Sequence, residues 1–155
     1  VADWHCFAIL NLAECEDFHP NPNWISQRLG IRPIEASSAM ERLERVGLAE
    51  QVSGKWKPTE DFVIAREGIP SEAVRSYHRQ ILEKAMAALD EQAPSEREIS
   101  GAGFAVNPRR LPELKRDVSE FLNRIAGKYS KGRNKEVYQL EIALFRLTRK
   151  RGKNA

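Results

Sequence analysis

The sequence predicts an α+β fold in two regions. Residues 1–62 read as three helices and a hairpin, residues 70–149 as an α-β-α-β module with a small sheet, and residues 150–155 as a basic tail. Three observations carry this reading. Proline and glycine punctuate the first region where helices open and close, at Pro22, Gly30, Pro33 and Gly47. Apolar residues keep helical spacing over long stretches, then switch to alternation near Gly103–Asn107 and Glu136–Thr148. Charge changes sign between the regions: Val1–Ile69 holds 7 Lys/Arg and 11 Asp/Glu, whereas Pro70–Ala155 holds 18 and 11.

The first helix runs from Trp4 to about Cys15, with Asp3 as its cap and Trp4, Phe7, Ala8, Leu10 and Leu12 as apolar surface. HPNPN (His19 to Asn23) is a turn, and WISQRL is the second helix, closed by Gly30. Ile31 and Arg32 make a very short connection. Pro33 opens the third helix, PIEASSAMERLERV, which Gly47 closes; Ala36, Met40 and Leu43 share its inner face. LAEQVSGKWKPTE then reads as strand, turn, strand with Ser53-Gly54 at the tip. Helix, helix-turn-helix and hairpin in this order form a winged helix-turn-helix.

Asp61 to Gly68 is a connector. A long helix begins near Pro70 or Ser71 and ends near Gln92, before Pro94. Its apolar face spans roughly half the circumference, so it must pack against its own module or a second protomer. Phe104 and Val106 mark a strand, and Gly101 and Gly103 permit an irregular entry to it. Pro108 opens the next helix, on which Leu111, Leu114, Val118, Phe121, Leu122 and Ile125 cluster on one side. In the last strand Tyr138, Leu140, Ile142 and Leu144 share a face, while Phe145 and Leu147 fall on the other. Two strands leave both edges open, which predicts a homodimer built through this half.

Composition excludes several classes. With 155 residues, 41% hydrophobic and 30% charged, and a mean hydropathy of −0.54, the chain can bury a core and is not a disordered segment. No apolar run approaches the roughly 18 residues of a membrane span. The 2 cysteines are too few for a disulfide framework, which points to a reducing, cytoplasmic setting. No signal peptide is visible, and the chain opens inside a helix without an initiating Met. The expectation is a fragment with further sequence upstream.

WISQRLGIRPIEASSAMERLERVGLAE resembles bacterial transcription regulators of the winged-helix kind, through the "RLGI" turn and the "LERVGL" exit into the wing. Over nearly the whole chain, "DWHCFAILNL…DF", "WISQRLGI", "RLERVGL", "GFAVNPRRLPELK" and "VYQLEIALFRLT" resemble a bacterial family of unknown function. Its members look like transcription regulators with a winged helix and a C-terminal α/β module. The resemblance implies a fold and a regulatory role, and no established chemistry. One departure is Arg146 in "LFRLT", where the family pattern has Pro.

As a DNA reader, the third helix would present Ser37, Ser38, Arg42 and Arg45 to base edges and phosphates, and the wing would present Lys55 and Lys57 to phosphates. Against this, the helix carries three Glu and two Arg, and an acidic module starts at a disadvantage on DNA. A protein-docking winged helix that never touches DNA is the alternative. Arg109, Arg110, Lys115 and Arg116 oppose the macrodipole at a helix start, as an anion-binding site would, for a nucleotide effector or a nucleic-acid phosphate. The competing account is a solvated face balanced by Glu113, Asp117 and Glu120.

Other chemistry is thin. His5, Cys6, Cys15 and His19 crowd the start, but Cys6 and Cys15 would lie on opposite faces of a helix with about 3.6 residues per turn, and no metal site is expected. His78 sits in the apolar arc of the long helix, as a packed histidine, a ligand contact or a pH-sensitive interface. SGAGFAV resembles a phosphate loop only loosely, lacking the Lys-Ser/Thr pair. No nucleophile, base and acid assemble, so neither catalysis nor a cofactor is expected. The reading is a non-enzymatic winged-helix regulator whose C-terminal module dimerises or senses a ligand.

Overall fold

The computed structural model describes residues 3–59 and 71–152. The expected connector Asp61–Gly68, the boundaries at 62 and 70, and the end of the basic tail lie outside the described residues. The fold is α+β: helices predominate, and the sheet among the described residues is a two-stranded antiparallel hairpin. No helix among the described residues is long and apolar enough to cross a membrane.

Helix α1 spans Trp4–Leu12, α2 Pro22–Leu29 and α3 Pro33–Arg45. Pro22 stands in the first turn of α2, where its missing N–H costs nothing, and Asn21 Oδ1 accepts from the amide of Asn23 at 2.8 Å. Gly30 ends α2 at φ 68, a left-handed cap that returns its N–H to Ser26 O. Gly47 does the same after α3 at φ 79. Strands β1 (Ala49–Val52) and β2 (Lys55–Pro58) pair with Glu50 opposite Lys57 and Val52 opposite Lys55. The tip residues Ser53 and Gly54 both have positive φ, 54 and 76, the mirror-image turn that matches strand twist.

Two expectations for α1 are corrected. It stops at Leu12 rather than near Cys15, because the chain turns there and Cys15 forms an isolated bridge to Asn134. Asp3 makes no side-chain cap; its carboxylate faces Arg42 instead. Nor is its apolar surface one stripe. Cys6 and Ile9 are as buried as Leu10 and Leu12, since α1 is wrapped by α2 and α3 on one side and touches α4 on another. Ile25, Ala36, Ala39, Leu43, Ala49 and Trp56 complete this core.

Helix α4 spans Glu72–Glu91 and α5 Leu111–Tyr129. Tyr77 and Ile81 are the buried residues of α4, with the Tyr77 ring edge-on to Phe7 at 4.9 Å. Burial pushes the Tyr77 hydroxyl up from its ordinary value, opposed by a hydrogen bond with Gln139. Helix α5 buries no residue fully.

The expected strands at Gly103–Asn107 and Glu136–Thr148 do not form a sheet among the described residues. Residues 97–107 and 135–147, which hold all of the expected strands but Thr148, run without turn or bend. A strand also needs a neighbouring backbone within about 4.8 Å to pair with, and neither segment makes a ladder hydrogen bond among the described residues. The last segment instead crosses the chain. Arg28 Nη2 donates to Lys135 O at 2.7 Å and pairs with Glu136 at 3.3 Å, Val137 packs on the first core, and Glu141 reaches His78 on α4.

Candidate nucleic-acid interface

Burial of Ala36, Ala39 and Leu43 fixes the rotation of α3. At about 100° per residue the opposite face carries Ile34, Ser38, Glu41 and Arg45, all exposed. Ser37 flanks this face and is half-buried. Glu44 lies on the hairpin side, where its carboxylate accepts from Trp56 Nε1 at 2.8 Å. This bond seats the buried indole and ties the hairpin to α3. Lys55 and Lys57 stand on either side of Trp56 in β2, so strand alternation turns them outward.

Arg42 goes the other way. It points along the α1 side, with Nη1 3.4 Å from Asp3 Oδ2, and its guanidinium also reaches the Cys6 thiol. Burial pushes that thiol up from its ordinary value and Arg42 pulls it back. A shallow cleft of about 240 Å³ lies here, with Asp3, His5, Arg32 and Arg42 among its walls. Its charges are already matched: Arg42 by Asp3, and Arg32 Nε by Glu35 at 2.8 Å. The Arg32 hydrogen bond holds the Glu35 carboxyl below its usual range.

Of the six residues proposed for DNA, then, Ser38, Arg45, Lys55 and Lys57 share the outer surface of α3 and the hairpin, Ser37 stands at its margin, and Arg42 braces α1 against α3. From Pro33 to Thr59 the chain carries four carboxylates (Glu35, Glu41, Glu44, Glu50) and four cations (Arg42, Arg45, Lys55, Lys57), so this stretch has no net charge. Glu50 also lies across the ladder from Lys57.

The second basic set is dispersed. Pro108–Arg110 is a single 3-10 turn before α5. Asn107 accepts from Arg109 N through its side chain at 3.0 Å and from Arg110 N through its carbonyl at 2.9 Å. Arg110 pairs with Glu113 at 3.2 Å, and Lys115 and Arg116 point into solvent. His78 is half-buried, with Nδ1 2.6 Å from Glu141 Oε2 and Nε2 buried without a partner among the described residues. No three His, Cys, Asp or Glu gather as a metal site among the described residues, and both cysteines are free and buried.

Sequence reasoning missed the Asp3–Arg42 brace, the Glu44–Trp56 bond and the Arg28 contacts to 135–136. Only Glu44–Trp56 had a local signal: a tryptophan between two lysines in a strand is the buried member of an alternating trio.

The chain belongs to the family described as a domain of unknown function, DUF4423, whose model matches residues 1–147. No curated protein and no solved structure is significantly similar to it.

Proposed function

We propose that this member of the family is a winged-helix transcription regulator, cytoplasmic and non-enzymatic, that binds duplex DNA as a homodimer. The observation that carries the reading is the order of three helices and a hairpin, with the outer face of α3 free and Arg45, Lys55 and Lys57 exposed together on it and the hairpin. In this reading α3 enters the major groove, Ser38 and Arg45 meet base edges, and Lys55 and Lys57 hold phosphates on either side. Arg42 acts at one remove, by fixing the angle of α3 on α1. An anionic effector at Arg109, Arg110, Lys115 and Arg116 is the weaker part of the reading, since Asn107 already accepts from the amides of Arg109 and Arg110.

The lack of net charge over Pro33–Thr59 favours contacts from two protomers, since counterion release scales with the phosphates neutralised. It also supports a second reading, a protein-docking surface centred on Ile34, which is 63% exposed on the outer face of α3.

Selection of bound sequences from random duplexes separates the two. Enrichment of a sequence with two half-sites is expected. Arg45→Ala then costs about 1–3 kcal/mol on that sequence and relaxes one position of it. Lys55→Ala and Lys57→Ala weaken all sequences alike and flatten the salt dependence. No enrichment, with unchanged binding to bulk DNA in all three variants, overturns the DNA reading.

A further inference from the structure

Residues 97–107 and 135–147 are two segments without turn or bend that pair with no strand among the described residues. The residues bounding the first are extended, Arg97 at φ −141 and ψ 159 and Asn107 at φ −74 and ψ 121. No main-chain hydrogen bond joins 98–106 or 136–147 to another described residue. The segments begin close together, since the Tyr138 hydroxyl donates to Glu96 O at 3.0 Å, but a side chain spans the space that a ladder would close. Their apolar side chains are left in solvent, Phe104, Leu140, Phe145 and Leu147 among them, the last at 84%.

We infer that these two segments form an intermolecular sheet with a second copy of this chain, covered by the exposed apolar residues of α4 and α5. Two arguments select a second copy. The first is area. The chain exposes 11983 Å², against roughly 7,900 Å² for a compact monomer of its mass. A dimer burying about 2,000–5,000 Å² in total takes half from each copy, and the excess exposed by each chain is large enough to supply it. The second is charge. In a half that carries 18 basic and 11 acidic residues, segment 135–147 holds two cations (Lys135, Arg146) and two carboxylates (Glu136, Glu141), and segment 97–107 holds one of each. Neutral segments pair with themselves without like-charge repulsion, whereas a nucleic acid or an acidic membrane would select the basic surface around them. A two-fold arrangement also closes, so that each edge meets its equivalent and no fibre grows.

The experiment is light scattering on the purified chain at tens of micromolar, joined to amide hydrogen exchange. The expected result is a mass of twice 17.7 kDa, with amides of 98–106 and 136–147 protected. Leu140→Lys with Ile142→Lys places like charges at the pairing surface and halves the mass. Both positions are exposed in the single chain, so the fluorescence of Trp4, Trp24 and Trp56 stays unchanged and reports that the variant is folded. A monomeric parent, a dimer whose 136–147 amides exchange freely, or a folded double variant that remains dimeric each overturns the inference. The inference rests on the homodimer of the regulator reading: a monomeric parent overturns both, a dimer whose 136–147 amides exchange freely overturns this one alone, and loss of sequence enrichment with the dimer intact overturns the regulator alone.

Discussion

Of the buried apolar side chains among the described residues, eleven lie between Cys6 and Trp56 and two, Tyr77 and Ile81, on α4. The large apolar residues left exposed divide the opposite way: Ile34, Val46 and Val52 in the N-terminal region, fifteen from Leu82 to Leu147. Composition does not explain this, because both regions carry amphipathic helices and alternating segments. Closure does. In the N-terminal region, three short helices cross around one another and the hairpin lies over them, so every apolar stripe finds a facing stripe. In the C-terminal region, a pair of long helices and a pair of straight segments come without the tight turns that would fold them together. Burial therefore follows connection length as much as hydrophobicity.

The sharpest test of that contrast compares matched truncations. Leu43 is wholly buried against α1 and α2. Leu43→Ala is expected to cost about 2–5 kcal/mol in urea unfolding followed by tryptophan fluorescence. In the Leu140→Lys, Ile142→Lys background, whose single chain leaves position 147 exposed, Leu147→Ala is expected to change that transition by less than about 0.5 kcal/mol. Equal costs would mean that the C-terminal region is closed in solution and the contrast is false.

The next effect falls where the two regions meet. Glu141 holds His78 on α4 through a short, half-buried bond, and the same segment is held at its start by Arg28. Glu141→Ala removes a charge-assisted hydrogen bond and leaves His78 Nδ1 unpaired, a loss of about 1–2 kcal/mol. Faster amide exchange across 135–141 with an unaltered Trp56 signal is the expected signature. A global loss of stability would show instead that the crossing segment belongs to the first core.

A smaller effect belongs to backbone geometry alone. A Cβ added at Gly30 would meet nothing within 4 Å, yet φ there is 68. Gly30→Ala therefore costs only the left-handed conformation, about 1 kcal/mol. A much larger thermal shift would point to a contact that the open space at Gly30 does not contain.

That glycine illustrates what is legible in a sequence. Gly30, Gly47, Ser53-Gly54, Pro22 and Pro33 act within a few residues of themselves, and the ends they mark in α2, α3 and the hairpin fall within two residues of expectation. Burial of Cys6 and Ile9 was not legible, since α1 is apolar on every side and its periodicity points nowhere. The direction of Arg42 was not legible either. It depends on Asp3, 39 positions away, and no local rule brings α1 to the flank of α3. Alternation at Gly103–Asn107 and Glu136–Thr148 led to two expected strands that do not form among the described residues, because a ladder is a property of two backbones and one sequence segment specifies only one of them.

The smallest effect tests whether charge distinguishes the regions as burial does. Glu35 in the N-terminal region pairs with Arg32 at 2.8 Å, and Glu72 in the C-terminal region with Arg75 at 2.7 Å. Both are exposed pairs three residues apart on a helix start, and in both the Arg hydrogen bond holds the carboxyl below its usual range. A depressed folded-state value contributes stability that is present above the unfolded carboxyl's value of about 4.3 and is lost as pH falls through the folded one. Unfolding midpoints are thus expected to stay level with respect to these groups from pH 7 to about 4.3. Below that, Glu35→Gln and Glu72→Gln each remove a small and similar share of the acid decline, and molar salt erases the difference from the parent. A Glu72 contribution far larger than that of Glu35 would mean that α4 begins in a less solvated place than its exposed first turn indicates, as it would if another surface covered it. Equal contributions leave apolar closure, and not ion pairing, as the property that separates the two regions of the chain.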